Sequence, residues 1–311
     1  MPHLKLILAV RVMTVGLAVL AVTSRPSAVP LRAQTATSPL RFAVTGDFGT
    51  GGAPERDVAA LVQSWQPAFI VTTGDNNYGS GAASTIDANI GQFYSSFIAP
   101  YTGIYTPSNP TAENRFWPAL GNHDWDGGNN AKPYRDYFVL PGNERYYDLV
   151  RGDVHLFMID SDSREPDGIA ATSAQATWLQ QRLAESTAPW KIVVFHHPPY
   201  SSGLHGSNTD MRWPFKAWGA SLVLSGHDHT YERLQVDGLP YIVNGLGGQA
   251  RYNFNLVLPQ SLVRYNADFG AMRLEASACV LNIEFVNVQG QVVDAFALSI
   301  CHHAVMPLIF R

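Results

Sequence analysis

A chain of 311 residues with 46% hydrophobic and 15% charged residues has ample material for a core, which excludes a disordered chain and fits one large α/β domain. The formal net charge is −4 and no basic run interrupts it, which excludes the electrostatic footprint of a binder of nucleic acid or anionic membrane. Gly and Pro are plentiful, at 26 and 20, and point to strands joined by shaped loops rather than to a helical bundle.

At the start, Lys5 and Arg11 precede the apolar run VMTVGLAVLAV (12–22), which gives way to small and Pro-rich residues. This is the pattern of a secretory signal peptide over residues 1–33, and the run is short for a membrane span. An uncleaved N-terminal anchor is the alternative. Cleavage could fall near Ser24, Ala28 or Ala33; loss of residues 1–33 would remove four basic residues and leave a more acidic, exported chain with no stable membrane insertion. The body of the protein is expected at 38–300, followed by a tail, 301–311, in which His302 and His303 read as solvated.

From Arg41 onward, short apolar runs keep ending in polar residues. RFAVTGDFG ends at Asp47, and FIVTTGDNNYGSG carries Asp75 and Tyr78. FWPALGNHD ends at Asn122 and His123, KIVVFHHPPY at His196, and ASLVLSGHDH at His227 and His229. Near-continuous Val, Ile, Leu, Phe and Ala indicates strands buried on both faces, with the polar residues on loops at strand ends. Between them, residues 54–66 place Val58, Leu61, Val62 and Trp65 on one helical face. TSAQATWLQQRLAES reads as a second helix, opened by Thr172 and Gln175 in capping-box spacing. After about Gly238 the pattern turns to strands and ends in a hairpin around Gln289-Gly290. Strand–helix alternation followed by strands predicts an α/β fold of packed sheets flanked by helices, with one cluster of loops.

Taken singly the blocks are weak, since Gly-Asp pairs mark turns and a lone His-x-His is often incidental. Together they supply carboxylates, an amide and imidazoles at five strand ends, which is the donor set of a metal site.

The ordered set Gly46-Asp47-Phe48-Gly49, Gly74-Asp75-Asn76-Asn77-Tyr78, Gly121-Asn122-His123-Asp124, Val193-Val194-Phe195-His196 and Gly226-His227-Asp228-His229 resembles the purple acid phosphatases of the metallophosphoesterase superfamily. The resemblance spans about 40–298 and is nearest to the small, single-domain, tartrate-resistant type. It implies two mixed β-sheets packed as a sandwich flanked by helices. It also implies a first ion on Asp47, bridging Asp75, Tyr78 and His229, and a second on Asp75, Asn122, His196 and His227. Most metallophosphoesterases carry Asp-x-His in the first block, whereas position 49 here is Gly, so Tyr78 would replace the missing imidazole.

A phenol of ordinary pKa about 10 needs a strongly Lewis-acidic ion to ionise it, hence Fe(III) in the first site. Imidazoles and an amide suit a divalent ion such as Zn, Fe or Mn in the second. The implied reaction is hydrolysis of a small phosphate monoester by metal-bound hydroxide, without a phosphoenzyme. His123 and His205 are the implied acids, with an ordinary exposed loop histidine as the alternative for His205. A phosphodiesterase or nucleotidase on the same metals, and a non-catalytic metal- or phosphate-binding module, are the rival readings. His197, Asp124, Asp228 and Tyr231 are expected to support the ligands, and His155 to be a strand residue. The two cysteines, Cys279 and Cys301, read either as a disulfide of an exported protein or as thiols on neighbouring strands.

Overall fold

The computed structural model describes residues 38–107 and 109–301, together with Pro2. The expected signal segment 1–33, His302 and His303 lie outside the described residues. In chain order the strands are β1 (Leu40–Thr45), β2 (Ile70–Thr72), β3 (Phe116–Pro118), β4 (Tyr147–Arg151), β5 (Val154–Met158), β6 (Trp190–Val194), β7 (Leu222–Ser225), β8 (Tyr231–Val236), β9 (Leu239–Asn244), β10 (Ser261–Tyr265), β11 (Gly270–Ala276), β12 (Val280–Asn287) and β13 (Val292–Ser299). The helices are α1 (Ala53–Ser64), α2 (Gln92–Tyr94), α3 (Asn122–Trp125), α4 (Lys132–Tyr137) and α5 (Ala174–Glu185).

Two mixed sheets result, as expected. The first runs β13-β12-β11-β1-β2-β3 and the second β10-β8-β9-β7-β6-β5-β4. In the first, β1, β2 and β3 are parallel, with Ala43 opposite Ile70 and Ile70 opposite Phe116, while β11 pairs antiparallel with β1. In the second, β5, β6, β7 and β9 are parallel. The second sheet is one unbroken stretch of chain, 147–265, set between β3 and β11.

The continuous apolar runs are explained by what covers each face. Leu156, Met158, Ile192, Val194, Leu222 and Leu224 pack with Phe42, Val44, Ile70 and Leu274 in the core shared by the sheets. Their neighbours Phe157, Ile159, Val193, Phe195 and Val223 pack with Ala176, Leu179 and Leu183 of α5. Strands covered on both sides have no polar face to alternate with. Helix α1 buries Val58, Ala59 and Val62 in the shared core.

One local expectation is corrected: the cap of α5 is Ser173, whose side chain accepts from Ala176 N–H, and not Thr172. Gln175 does not reach back to close a capping box. It is buried, and it accepts from Asp160 N–H and donates to Asp160 O. Tertiary bonds to the end of β5 outcompete the local one.

Cys279 and Cys301 form a disulfide with Cα atoms 5.1 Å apart. It closes the open end of the β12–β13 hairpin, just beyond the Val280–Ser299 pair. Cross-linking a loop of this length contributes about 3 kcal/mol by restricting the unfolded chain.

Candidate metal centre

Asp47 follows β1, Asp75 and Tyr78 follow β2, and Asn122 opens α3 just beyond β3. His196 follows β6, His227 follows β7, and His229 precedes β8. The first sheet therefore delivers the oxygen donors and the second the imidazoles. The two sheets are tied at this end by Asn244 Nδ2 donating to Val44 O at 3.0 Å and Gly247 N to Gly46 O at 3.0 Å.

All seven residues meet. The Tyr78 hydroxyl lies 3.0 Å from Asp75 Oδ2, 3.2 Å from Asp47 Oδ1 and 3.1 Å from His229 Nε2. His196 Nε2 lies 3.2 Å from each of Asp75 Oδ2, Asn122 Oδ1 and His227 Nδ1. His229 Nε2 is 3.5 Å from Asp47 Oδ1. Asp75 thus faces both groups through Oδ2, while its Oδ1 accepts from His123 N–H at 2.9 Å.

Three features fit this cluster to ions. Asp47 and Asp75 are buried, and among the described residues no lysine or arginine pairs with either; buried charge of this kind requires a counter-charge. The far nitrogens of two imidazoles are fixed by backbone carbonyls, His196 Nδ1 by Thr73 O at 2.9 Å and His229 Nδ1 by Ala250 O at 2.6 Å. With Nδ1 committed there, Nε2 is the nitrogen turned into the cluster, the orientation that metal-bound histidines use. The third feature is backbone strain: three of the nine described non-glycine residues with positive φ, Asp47, Asp75 and His227, fall in this cluster, at 52° to 71°, and such positions gather at active sites.

The electrostatics agree. Burial opposes charge on His196, but Asp75 and Asp47 outweigh it and push its pKa up to about 10. The same field attracts any cation. Burial, then Asp47 and Asp75, drives the Tyr78 phenol well above its ordinary value.

His123 stands on one flank, half-exposed, with Nδ1 donating to Gly79 O at 2.8 Å and Nε2 4.0 Å from Asp75 Oδ2. His205 stands on the other. It is exposed, yet its ring stacks on His227 at 4.3 Å, and its N–H donates to Asp228 Oδ1 at 2.8 Å.

The supporting residues also have visible tasks. Asp124 accepts from Gly121 N, Asn76 N and Asn76 Nδ2, at 2.8 to 3.2 Å, tying the Asp75 loop to the Asn122 turn. Asp228 also receives Ser201 Oγ and Gly206 N–H, which shapes the His205 loop. His197 bonds Ser161 Oγ at 2.9 Å and packs on the His227 ring at 4.4 Å. Tyr231 is away from the cluster, bonding Asp294 and stacking on Phe285. His155 is a strand residue in β5, held between Asp148 and Ser186.

Two residues escaped the sequence reading. Arg164 donates to Asn122 O and to Asp162 and Asp126, and Tyr252 covers the His229 ring at 4.0 Å. Neither lies in a strand-end block, so no local pattern marks them.

Residues 40–231 match the calcineurin-like phosphoesterase family, a class of metal-dependent phosphoester hydrolases. Tartrate-resistant acid phosphatase type 5 of Rattus norvegicus is 30% identical over 251 residues, covering 68% of this chain and 73% of that one. Purple acid phosphatase 4 of Arabidopsis thaliana is 25% identical over 286 residues, 81% of each. A solved purple acid phosphatase from yellow lupin shares the fold at a TM-score of 0.66 with 20% identity, over 85% of this chain and 54% of the lupin chain. The chain belongs to the calcineurin-like phosphoesterases and, within them, to the purple acid phosphatase family. It is a metal-dependent phosphoric ester hydrolase, and among the described residues no helix is long and apolar enough to cross a membrane.

Proposed function

We propose that the chain hydrolyses small phosphate monoesters at a dinuclear Fe(III)–M(II) centre. Asp47, Asp75, Tyr78 and His229 would hold the first ion, and Asp75, Asn122, His196 and His227 the second. The observation that carries this reading is the convergence of five donors on two buried carboxylates that have no lysine or arginine partner among the described residues. When bound, such a pair of ions clamps phosphate, acidifies a water and offsets charge on the leaving oxygen. A phenol of ordinary pKa about 10 calls for an ion of high charge to ionise it, which supports Fe(III). Three neutral donors beside Asp75 suit Zn, Fe or Mn.

The chain's own acids flank the phosphate position. With Nδ1 committed to Gly79 O, His123 presents Nε2 to the centre and, when protonated there, gives its proton to the departing alkoxide. His205, over His227, presents a second imidazole from the opposite side. Proton donation of this kind contributes roughly 10²–10⁴-fold. The disulfide and the apolar run 12–22 support export, with a catalytic domain at 38–300 and no role for nucleic acid.

The test is the visible absorption spectrum of purified protein with its iron and zinc content, before and after Tyr78→Phe. A purple or pink band that the substitution abolishes is expected; an unchanged band in the variant overturns the ligand assignment. Rates on p-nitrophenyl and bis-p-nitrophenyl phosphate then separate a monoesterase from a diesterase.

A further inference from the structure

Over the open side of the centre, one aromatic ring touches both halves. The Tyr252 ring lies parallel to His229, with centroids 4.0 Å apart and 14° between planes. It meets the His205 ring edge-on, at 5.3 Å and 71°. His205 in turn stacks on His227 at 4.3 Å and 28°. An unbroken run of rings, His229–Tyr252–His205–His227, therefore spans from one proposed ion position to the other.

Hydrogen bonds anchor the segment on both sides of Tyr252. Its N–H donates to His229 O at 3.0 Å, and two residues earlier Ala250 O accepts from His229 Nδ1 at 2.6 Å. Farther along, Asn255 N–H donates to Ser202 O at 2.8 Å and Leu258 N–H to Ser202 Oγ at 3.0 Å. The segment 250–258 is thus pinned at one end to the His229 turn and at the other to the loop that bears His205.

His205 needs such help. It is exposed on a loop, and among the described residues its backbone is bonded but neither ring nitrogen is. A free histidine side chain divides its time among staggered rotamers, and an acid that is misdirected for most of that time loses the advantage of proximity. Among the described residues, the aromatic rings that meet it are those of His227 and Tyr252.

We propose that Tyr252 is a positioning residue, whose ring, braced on His229, holds the exposed His205 imidazole over the phosphate site. This rests on the reading of His205 as an acid and adds the residue that makes it one. An aromatic pair of this geometry is worth roughly three- to tenfold in the population of the held rotamer.

Tyr252→Phe, Tyr252→Leu, His205→Ala and the Tyr252→Leu/His205→Ala pair, each purified with its metals, test it on glycerol phosphate and p-nitrophenyl phosphate. Tyr252→Phe, which keeps the ring, stays within about twofold of the parent. Tyr252→Leu loses about tenfold in kcat on glycerol phosphate, whose poor leaving group needs the proton, and much less on p-nitrophenyl phosphate, with KM nearly unchanged. Bound iron and divalent metal stay at parent levels in both. In the His205→Ala background, Tyr252→Leu costs nothing further, the non-additivity that marks two residues acting as one unit.

Equal losses with and without His205 overturn the proposal, as does a Phe variant no better than Leu, which would put the effect on the hydroxyl. Metal loss in the Leu variant overturns it too, by making Tyr252 a support of His229 alone. Should His205→Ala itself leave glycerol phosphate turnover intact, the reading of His205 fails first, and that of Tyr252 falls with it.

Discussion

Replacing Gly49 by Ala, the smallest change possible, should damage the centre more than its size suggests. A Cβ at this position would stand 1.7 Å from Asn76 O and 2.4 Å from its carbonyl carbon, so the two backbones must part by roughly 1.5 Å to reach ordinary contact. Asn76 has no freedom to retreat: its N–H and Nδ2 donate to Asp124, Nδ2 also donates to Ala119 O, and Oδ1 accepts from Thr72 Oγ1. Tyr78 N–H, moreover, donates to Gly49 O at 2.7 Å. Overpacking plus the loss of one or two buried hydrogen bonds amounts to about 4 kcal/mol, a large part of a typical domain's stability. Urea denaturation of parent and variant, with bound metal per chain measured on the same samples, is the assay. A lower midpoint and a depleted first site are expected, because the phenol moves with the backbone. An unchanged midpoint with full metal content would refute the packing argument. The same geometry says that Gly49→His, which restores the commoner motif, cannot rescue Tyr78→Phe.

His123→Ala should keep both ions and the colour while losing turnover on glycerol phosphate by about 10²-fold or more, whereas Asn122→Ala should lose the divalent ion; metal analysis and paired kinetics separate the two. Thiol titration of denatured, unreduced protein should find no free thiol, and two would contradict the Cys279–Cys301 bridge. Burial lifts Glu55 well above the ordinary carboxylate value, against the pull of the Gly51 and Thr50 N–H groups. The folded chain then keeps a proton that the unfolded chain releases, so Glu55's contribution is full below the ordinary Glu pKa and is lost as pH rises toward its raised one. Glu55→Gln should therefore flatten the decline of urea midpoint between pH 5 and 8; parallel curves for parent and variant would show that Glu55 does not titrate in this way.

The proposed donors were legible in the sequence because each stands just beyond a buried strand, and the structure brings those strand ends together. The ring of His205 was not, since sequence places it on a loop and only packing against His227 and Tyr252 separates it from a solvated histidine. Tyr252 and Arg164 lie 23 and 42 positions from the ligands they touch, and no periodicity reports contacts made across loops. The cap of α5 was misplaced by one residue because Gln175 serves the end of β5 instead of its own helix. Gly49 was legible as a missing imidazole, but its cause, the Asn76 backbone filling that space, is a fact of packing alone.

The second sheet is a single insertion, 147–265, within the strands of the first. After it, β11 returns the chain to the frame by pairing with β1, a contact between residues more than 200 positions apart. On the proposed assignment neither part alone holds a complete ligand set for either ion. Asp47, Asp75, Tyr78 and Asn122 would emerge during synthesis long before His196, His227 and His229, and neither ion could reach its full coordination until the insertion had docked. On that assignment, bound metal would be a readout of completed assembly.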